Sequence, residues 1–149
     1  MPAINIKKTF LPNATYHIYN RGAFKKDVYK DKSDFEYFYT LLLQEQKAHA
    51  IQINIECLIP NHLHLQVFQK NPYDITSFMR SLMTRYCMYF CNKYKHTGHV
   101  FQGIYKASLL LGEKRIRENA LYILNNPLNA GYEYWPYVGR FWKWREKLL

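Results

Sequence analysis

Two histidines in a β-type segment are the first residues whose spacing could support chemistry. His62 and His64 are separated only by Leu63. Side chains of a strand alternate between its faces, so both imidazoles point the same way, with Cα atoms about 7 Å apart. Such a pair can converge on one divalent metal ion. The same spacing also occurs in ordinary half-exposed strands, in which two polar residues simply face water.

A second candidate group follows much later in the chain. Tyr122 and Asn126 are four residues apart, which places them on one face of a helix. A tyrosine hydroxyl is a candidate covalent nucleophile, and an asparagine carbonyl is a hard oxygen ligand suited to Mg²⁺ or Mn²⁺. The chain contains 14 tyrosines, so composition alone does not single out Tyr122. A core tyrosine and a helix C-terminal asparagine before Pro127 are the structural alternative.

The hydrophobic pattern predicts the elements that must position these residues. Apolar residues alternate over 51–59, and Pro60-Asn61 separates this strand from the one that carries the two histidines. We predict strands at 15–19, 51–59, 62–68 and 107–111, and helices at 35–48, 75–95 and 112–125. Pro127 is expected to end the last helix. This order predicts an α+β, ferredoxin-like split βαβ fold, whose antiparallel sheet has helices packed mainly on one face.

Composition and charge narrow the class of partner. The 149 residues suit one domain, with a core at about 12–131 and an aromatic, basic tail at 132–149. An apolar content of 48% argues against disorder. The net charge of +10 and the 17% of aromatic residues are typical of a single-stranded nucleic-acid binder. An aromatic core beneath an incidentally basic surface would give the same composition.

Cysteine usage and the absence of long apolar runs indicate the compartment. Three cysteines, an odd number with local spacing, do not form a disulfide framework, so we expect a reducing, cytoplasmic environment. The sequence predicts no secretory signal and no membrane span. Cys87 and Cys91, with His96 and His99 nearby, could form a zinc site. Their spacing does not fit the usual Cys-x₂-Cys knuckle, and two ordinary helix cysteines are the alternative.

Four ordered segments carry a family resemblance. The run 58–65, Leu-Ile-Pro-Asn-His-Leu-His-Leu, resembles the HUH motif (histidine, bulky apolar residue, histidine) of single-strand DNA endonucleases. It is most similar to that of the IS200/IS605-like single-tyrosine transposases and their REP-associated relatives. Segment 16–22 resembles the opening strand of this family, 98–108 the segment before its fourth strand, and 122–127 its nucleophile helix. The family commonly has an arginine where this chain has Ile104.

The resemblance implies roles for individual residues. It makes His62 and His64 metal ligands and Tyr122 the nucleophile. Asn126 takes the third-ligand position, which is glutamine in the insertion-sequence enzymes, and this favours the REP-associated branch. The implied enzyme is a Mg²⁺- or Mn²⁺-dependent transposase and endonuclease. It would cleave and rejoin single-stranded, hairpin-forming DNA through a 5′-phosphotyrosine.

Two other functions remain open at this stage. One is a non-catalytic protein that binds single-stranded or hairpin nucleic acid on the same fold. The other is a metal-dependent nuclease in which water, not tyrosine, attacks the phosphate. For the transposase, a single tyrosine suffices if the two active sites of a homodimer, or two rounds of reaction, act together. No membrane partner is expected.

Further residues are candidates for supporting roles. His17 on the first strand and Tyr105 before the fourth are candidates for the flank of the active site, and Tyr105 is also a second candidate nucleophile. The structural alternative for His17 is a histidine whose hydrogen bonds are satisfied within the fold. The candidate DNA-binding residues are Arg21, Lys106, Lys114, Arg115, Arg117, Lys143 and Arg145. The tail could wrap the domain, or its aromatic residues, Phe141 among them, could stack on unpaired bases.

Overall fold

One antiparallel sheet organises the protein. The computed structural model describes residues 10–142. Its strands are β1 (Ala14–Arg21), β2 (Ile51–Ile59), β3 (His62–Gln69) and β4 (Lys106–Leu110), and its helices are α1 (Lys32–Ala48), α2 (Asp74–Tyr94) and α3 (Gly112–Asn129). The spatial order is β2-β3-β1-β4, with all neighbours antiparallel. The predicted α+β split βαβ class is confirmed. Within the described residues, no helix is both long and apolar enough to span a membrane.

Strand β3 gives the sheet two chemically different faces, because its side chains alternate. Its apolar members are fully buried in the main core, which α1 and α2 complete: Leu63, Leu65 and Val67. Its polar members face the opposite side, where α3 packs: His62, His64 and Gln66. Two helices therefore cover one face of the sheet, and the third covers the face that carries the histidines.

A β-bulge divides strand β2 between these two faces. The pairing of β2 with β3 shifts register between Ile53 and Ile55. An extra residue at such a point turns the following side chains to the other face. Ile53 therefore lies in the main core, whereas Ile55 belongs to a smaller cluster with Ala120 and Ile123 of α3. The sequence predicted the bounds of this strand, but simple alternation did not reveal the switch.

Helix α3 extends beyond its predicted end. The expected stop before Pro127 is wrong, because the helix continues to Asn129 and contains this proline in its last turn. A proline near a helix C-terminus removes only one intrahelical donor. The last turn is closed by the N–H of Ala130, which donates to the carbonyl of Asn126 at 3.0 Å. Asn126 consequently stays helical and shares a face with Tyr122.

The segment after α3 packs against the outer edge of β2. The N–H of Gly139 donates to the backbone carbonyl of Glu56 at 2.8 Å. The buried carboxylate of Glu56 accepts the N–H groups of Arg140 and Phe141 at 3.0 and 2.9 Å. Residues 132–142 of the predicted tail thus wrap the domain. Phe141 is only 5% exposed, so the idea that it stacks on a base is wrong.

Candidate active site

The face of the sheet under α3 carries a cluster of aromatic and imidazole rings. Strand pairing places Tyr19 of β1 directly opposite His64 of β3, and alternation brings His17 to the same face. The ring centroids of Tyr19 and His64 are 5.0 Å apart. Helix α3 adds two side chains from above. The members of the cluster are His17, Tyr19, His62, His64, Tyr122 and Asn126.

The three predicted metal ligands lie together. The ring centroids of His62 and His64 are 5.2 Å apart. Nε2 of His62 lies 3.2 Å from Oδ1 of Asn126, which is 9% exposed. Two ligand atoms in adjacent positions around one Mg²⁺-sized ion, each about 2.1 Å from it, would be about 3 Å apart. The spacing of this pair therefore suits joint coordination of a cation.

The hydrogen bonds of His62 also favour a cation beside it. Its Nδ1 lies 2.8 Å from Oδ1 of Asn61, whose amide nitrogen points to the carbonyl of Lys25 at 3.4 Å. A neutral imidazole carries a single N–H, so His62 can donate to the oxygen of Asn61 or to that of Asn126, but not to both. Burial lowers the pKa of His62, partly offset by Asn126, and so favours that neutral form. With the proton on Nδ1, Nε2 and the oxygen of Asn126 face each other as two acceptors, an arrangement that a shared cation would satisfy.

His64 is oriented by the first strand. Its Nδ1 lies 2.9 Å from Nε2 of His17, within hydrogen-bonding distance. Burial, together with charge repulsion from His17 and His62, lowers the pKa of His64 to about 3, and burial also lowers the pKa of His17. Both rings are therefore neutral near pH 7, which is the form that binds metals. The contact uses Nδ1 of His64 and leaves Nε2 as the nitrogen available to a ligand, as in the outer-sphere contacts of metal-binding histidines.

A cation in this site would depend on the asparagine. Across residues 10–142, no group of three His, Cys, Asp or Glu side chains has the arrangement of a metal site. The donor set is therefore two imidazole nitrogens and one amide oxygen, a mixture compatible with Mn²⁺ or Mg²⁺. The same residues 10–142 give no support to the alternative zinc site at Cys87 and Cys91. Burial also raises the pKa of the Cys87 thiol to about 11.

Tyr122 lies above the histidines and remains accessible. Its ring centroid is 5.7 Å from that of His64 and 6.0 Å from that of His17. The side chain is 49% exposed, in contrast to the core tyrosine Tyr86, which is fully buried. An exposed phenol beside neutral imidazoles can meet a phosphate that approaches from solvent. The structure thus brings together His17, the predicted nucleophile and the three predicted ligands, His62, His64 and Asn126.

Tyr105 is not part of this cluster, so its assignment to the flank of the active site is corrected. It packs against the main core beside Thr76 and Arg80 of α2, on the opposite face of the sheet. The reason is strand parity, because Lys106 and not Tyr105 pairs with Tyr19. Tyr19, which sequence reasoning missed, lies in the cluster instead. Its spacing of two residues from His17 was the signal that could have identified it.

The predicted DNA-binding residues fall into three groups. Arg21 is paired with His62 across the sheet and donates a hydrogen bond to Gln102, and Lys106 is exposed on β4. The second group is exposed along the first half of α3: Lys114, Arg115 and Arg117. The third group, Lys143 and Arg145, lies outside the described residues. Strand pairing places Arg21 and Lys106 on the histidine face of the sheet, and the second group lies on the helix that covers this face.

Comparison with known proteins relates this arrangement to a family. A family model described as "Transposase IS200 like" matches residues 10–126, a range that contains the whole cluster. A solved REP-associated tyrosine transposase bound to a REP hairpin superposes with a TM-score of 0.76 at 14% identity, covering 95% of this chain and 86% of that one. A candidate transposase from Deinococcus radiodurans R1 gives 0.55 at 15% identity, covering 78% and 92%. A sequence comparison with curated proteins gave no match. At these identities the structural likeness concerns the fold.

Proposed function

The chain belongs to the IS200-like transposase family, and we propose that it cleaves and rejoins single-stranded DNA through a covalent bond between Tyr122 and a DNA phosphate. The observation that carries the proposal is the position of Tyr122. Its half-exposed ring lies beside His64 and one helical turn before Asn126, which contacts His62. Nucleophile and candidate ligand group therefore belong to one site within one chain.

The reaction begins with attack of the Tyr122 hydroxyl oxygen on the phosphorus of the scissile phosphate. A bond forms between this oxygen and phosphorus, and the bond from phosphorus to the 3′ oxygen breaks. The phenol loses its proton, and the departing 3′ oxygen takes one up, so the products are a 5′-phosphotyrosine and a free 3′-OH. Because the phosphodiester energy is retained, the 3′-OH of another strand can reverse the step without ATP.

The residues around Tyr122 bind and orient the reacting groups. His62, His64 and Asn126 would hold a divalent cation, Mg²⁺ or Mn²⁺, which supplies Lewis-acid charge to the phosphate oxygens when bound. His17 holds the ring of His64 through the 2.9 Å contact between Nε2 and Nδ1. Two neutral imidazoles and a neutral amide add no negative charge, so they do not repel the phosphate.

The substrate is proposed to be DNA with a hairpin beside the cleaved single strand. The solved relative with the TM-score of 0.76 is bound to a REP hairpin, and basic residues here lie on the histidine face of the sheet and on α3. Arg21 and Lys106 would contact phosphates near the sheet, whereas Lys114, Arg115 and Arg117 would contact them from α3. A homodimer would provide two tyrosines for cleavage and rejoining of two ends.

Replacement of Tyr122 tests this proposal. Wild-type protein is mixed with a radiolabelled hairpin that carries a single-stranded extension, in Mn²⁺ or Mg²⁺, and separated on a denaturing gel. We expect a covalent adduct that Tyr122→Phe reduces at least about 10³-fold, because the attacking oxygen is gone. Tyr134→Phe is the matched control, since this tyrosine is 84% exposed and lies outside the cluster.

Each other outcome supports a different function. Cleavage without an adduct, retained in Tyr122→Phe, would indicate a hydrolytic nuclease and contradict the proposal. Tight hairpin binding without cleavage in either metal would indicate a non-catalytic binding protein. Addition of EDTA should abolish the adduct while leaving the binding of the hairpin largely intact.

A further inference from the structure

One buried amide on the histidine face has no part in the chemistry above. Gln66 lies on β3, four residues after His62 on the same face, and is 1% exposed. Its side-chain nitrogen donates to the backbone carbonyl of Ile116 at 2.9 Å and to Oδ1 of Asn119 at 3.1 Å, both on α3. We propose that Gln66 is a positioning residue that sets the register of α3 on the sheet, and hence the place of Tyr122. The inference rests on the proposed function of Tyr122.

The remaining contacts of α3 do not set a register by themselves. Ala120 and Ile123 pack on an apolar patch of β2 that contains Ile55, Cys57 and Ile59. Apolar contact is not directional, so it distinguishes between closely related positions of a helix less sharply than hydrogen bonds do. Hydrogen bonds weaken steeply when their geometry changes, and therefore oppose a small shift of the helix along its axis. The polar side of the interface thus adds directional contacts that the apolar patch lacks.

Polar contacts connect α3 with β3 at two points on that side. Gln66 contacts Ile116 and Asn119, and His62 contacts Asn126. Asn119 and Asn126 are seven residues apart, or about 10 Å along the helix, and their partners are four residues apart, or about 13 Å along the strand. The two contacts thus act at separated points along α3. Only the Gln66 contact lies outside the proposed metal ligands, so it holds the helix irrespective of what occupies the site.

Gln66 is itself held in one orientation. Its side-chain oxygen accepts from the amide nitrogen of Asn54 at 2.9 Å, and Oδ1 of Asn54 accepts from Gln52 at 2.8 Å. Strand alternation places Asn54 on this face, since Ile53 before it points into the main core. With its oxygen engaged on β2, the amide of Gln66 has its nitrogen directed at α3. The network therefore holds α3, the helix that carries Tyr122, in a defined position relative to the sheet.

Substitution of Gln66 by leucine tests the proposal. Gln66→Leu keeps a similar volume and removes both hydrogen bonds to α3. We expect the rate of Tyr122 adduct formation at saturating hairpin and Mn²⁺ to fall about 10- to 100-fold, because a shift of about 1 Å in the nucleophile has effects of this size. Hairpin affinity should stay within about twofold. Amide hydrogen exchange should become at least about tenfold faster in α3 and remain unchanged in α1 and α2.

Matched variants separate positioning from folding. Gln52→Leu removes an amide from the same network without touching α3, and should leave the adduct rate and α3 exchange near wild type. Asn119→Leu deletes an acceptor on the helix while Gln66 and Asn54 stay in place, and should reproduce part of the rate loss. Asn119→Asp keeps an acceptor oxygen for Gln66 and should restore the rate. If Gln66→Leu unfolds the whole protein, the difference in adduct rate between Asn119→Leu and Asn119→Asp tests the positioning role.

The outcomes also distinguish the two proposals. Wild-type adduct rates and unchanged α3 exchange in both Gln66→Leu and Asn119→Leu would overturn the positioning role. Failure of the wild type to form any adduct would instead contradict the proposed function. In that case the exchange measurement still decides, since faster exchange confined to α3 supports the role of Gln66 and its absence refutes it.

Discussion

The two faces of β3 are buried to almost the same extent, yet their burial has different consequences. Leu63 and Leu65 are fully buried in the main core, while on the other face His64 is 4% and Gln66 1% exposed. Apolar burial stabilises in proportion to area and needs no particular partner. Burial of an imidazole or amide costs free energy unless each polar atom is hydrogen-bonded. The polar face therefore gains little stability, and its hydrogen bonds instead hold specific groups of β1, β2 and α3 in place.

The largest expected effect comes from adjacent substitutions on the two faces. Leu65→Ala should lower the free energy of unfolding by about 2–5 kcal/mol, because it leaves a cavity in the core. The adduct rate per folded molecule should hardly change. His64→Ala should do the reverse, reducing adduct formation at least about 100-fold with a smaller loss of stability. Urea unfolding and gel assays below the unfolding transition measure both. Loss of adduct formation in Leu65→Ala but not in His64→Ala would contradict the expected difference between the two faces.

A smaller effect is expected for a polar group on the side of the sheet that α1 and α2 cover. The carboxylate of Asp34, buried between α1 and α2, accepts from Tyr89, Tyr94 and Lys93. Burial acts to raise the pKa of Asp34, but the hydrogen bonds from Lys93 and Tyr94 outweigh it and hold the pKa below its usual value. A carboxyl with a lowered folded-state pKa contributes stability above about pH 4, and this is lost as the pH falls through the folded-state pKa.

Asp34→Asn tests whether this buried polar group serves stability alone. The free energy of unfolding at pH 7 should fall by about 1–3 kcal/mol, and its decline below pH 4 should become shallower than in wild type. The adduct rate at pH 7 should not change. Urea unfolding at pH 7, 4 and 3 provides the measurement, and the exposed Asp27→Asn is the control. An unaltered pH profile would show that Asp34 does not contribute in this way.

The smallest effect is expected on the outer side of α3. Arg115→Gln combined with Arg117→Gln should weaken hairpin binding only a few-fold at physiological salt. The slope of log affinity against log salt should become shallower by about 1.5, since each phosphate contact contributes about 0.7–0.9. Exposed Lys32 and Lys47 on α1, changed to glutamine together, provide a control with the same loss of charge. Equal effects of both pairs would indicate a general charge effect rather than a DNA contact on α3.

Much of the fold followed from local patterns. The bounds of β2 and the order of the four strands along the chain came from apolar periodicity and turn residues, which depend only on neighbouring positions. His62, His64, Tyr122 and Asn126 were selected because their segments resemble a family in the right order, and the structure brings them together. The alternation of β3 also anticipated that both histidines share a face.

Other features were missed because they depend on contacts between distant segments. The bulge in β2 is a property of its pairing with β3, and it turns Ile55 toward α3. Tyr105 was assigned to the flank of the active site because it is near β4 in sequence, but strand parity sends it to the α2 side. Pro127 was expected to end α3, whereas the hydrogen bonds of the last turn extend the helix to Asn129.

By itself, the sequence determined the alternating periods, the basic charge and the types of the reacting groups, because these are properties of residues and their near neighbours. Only the tertiary structure decided that Tyr122 and Asn126 come to rest over His62 and His64. That convergence depends on strand pairing, on a bulge and on an amide contact between β3 and α3. Each of these joins parts of the chain that are remote in sequence, and local pattern carries no information about their distance.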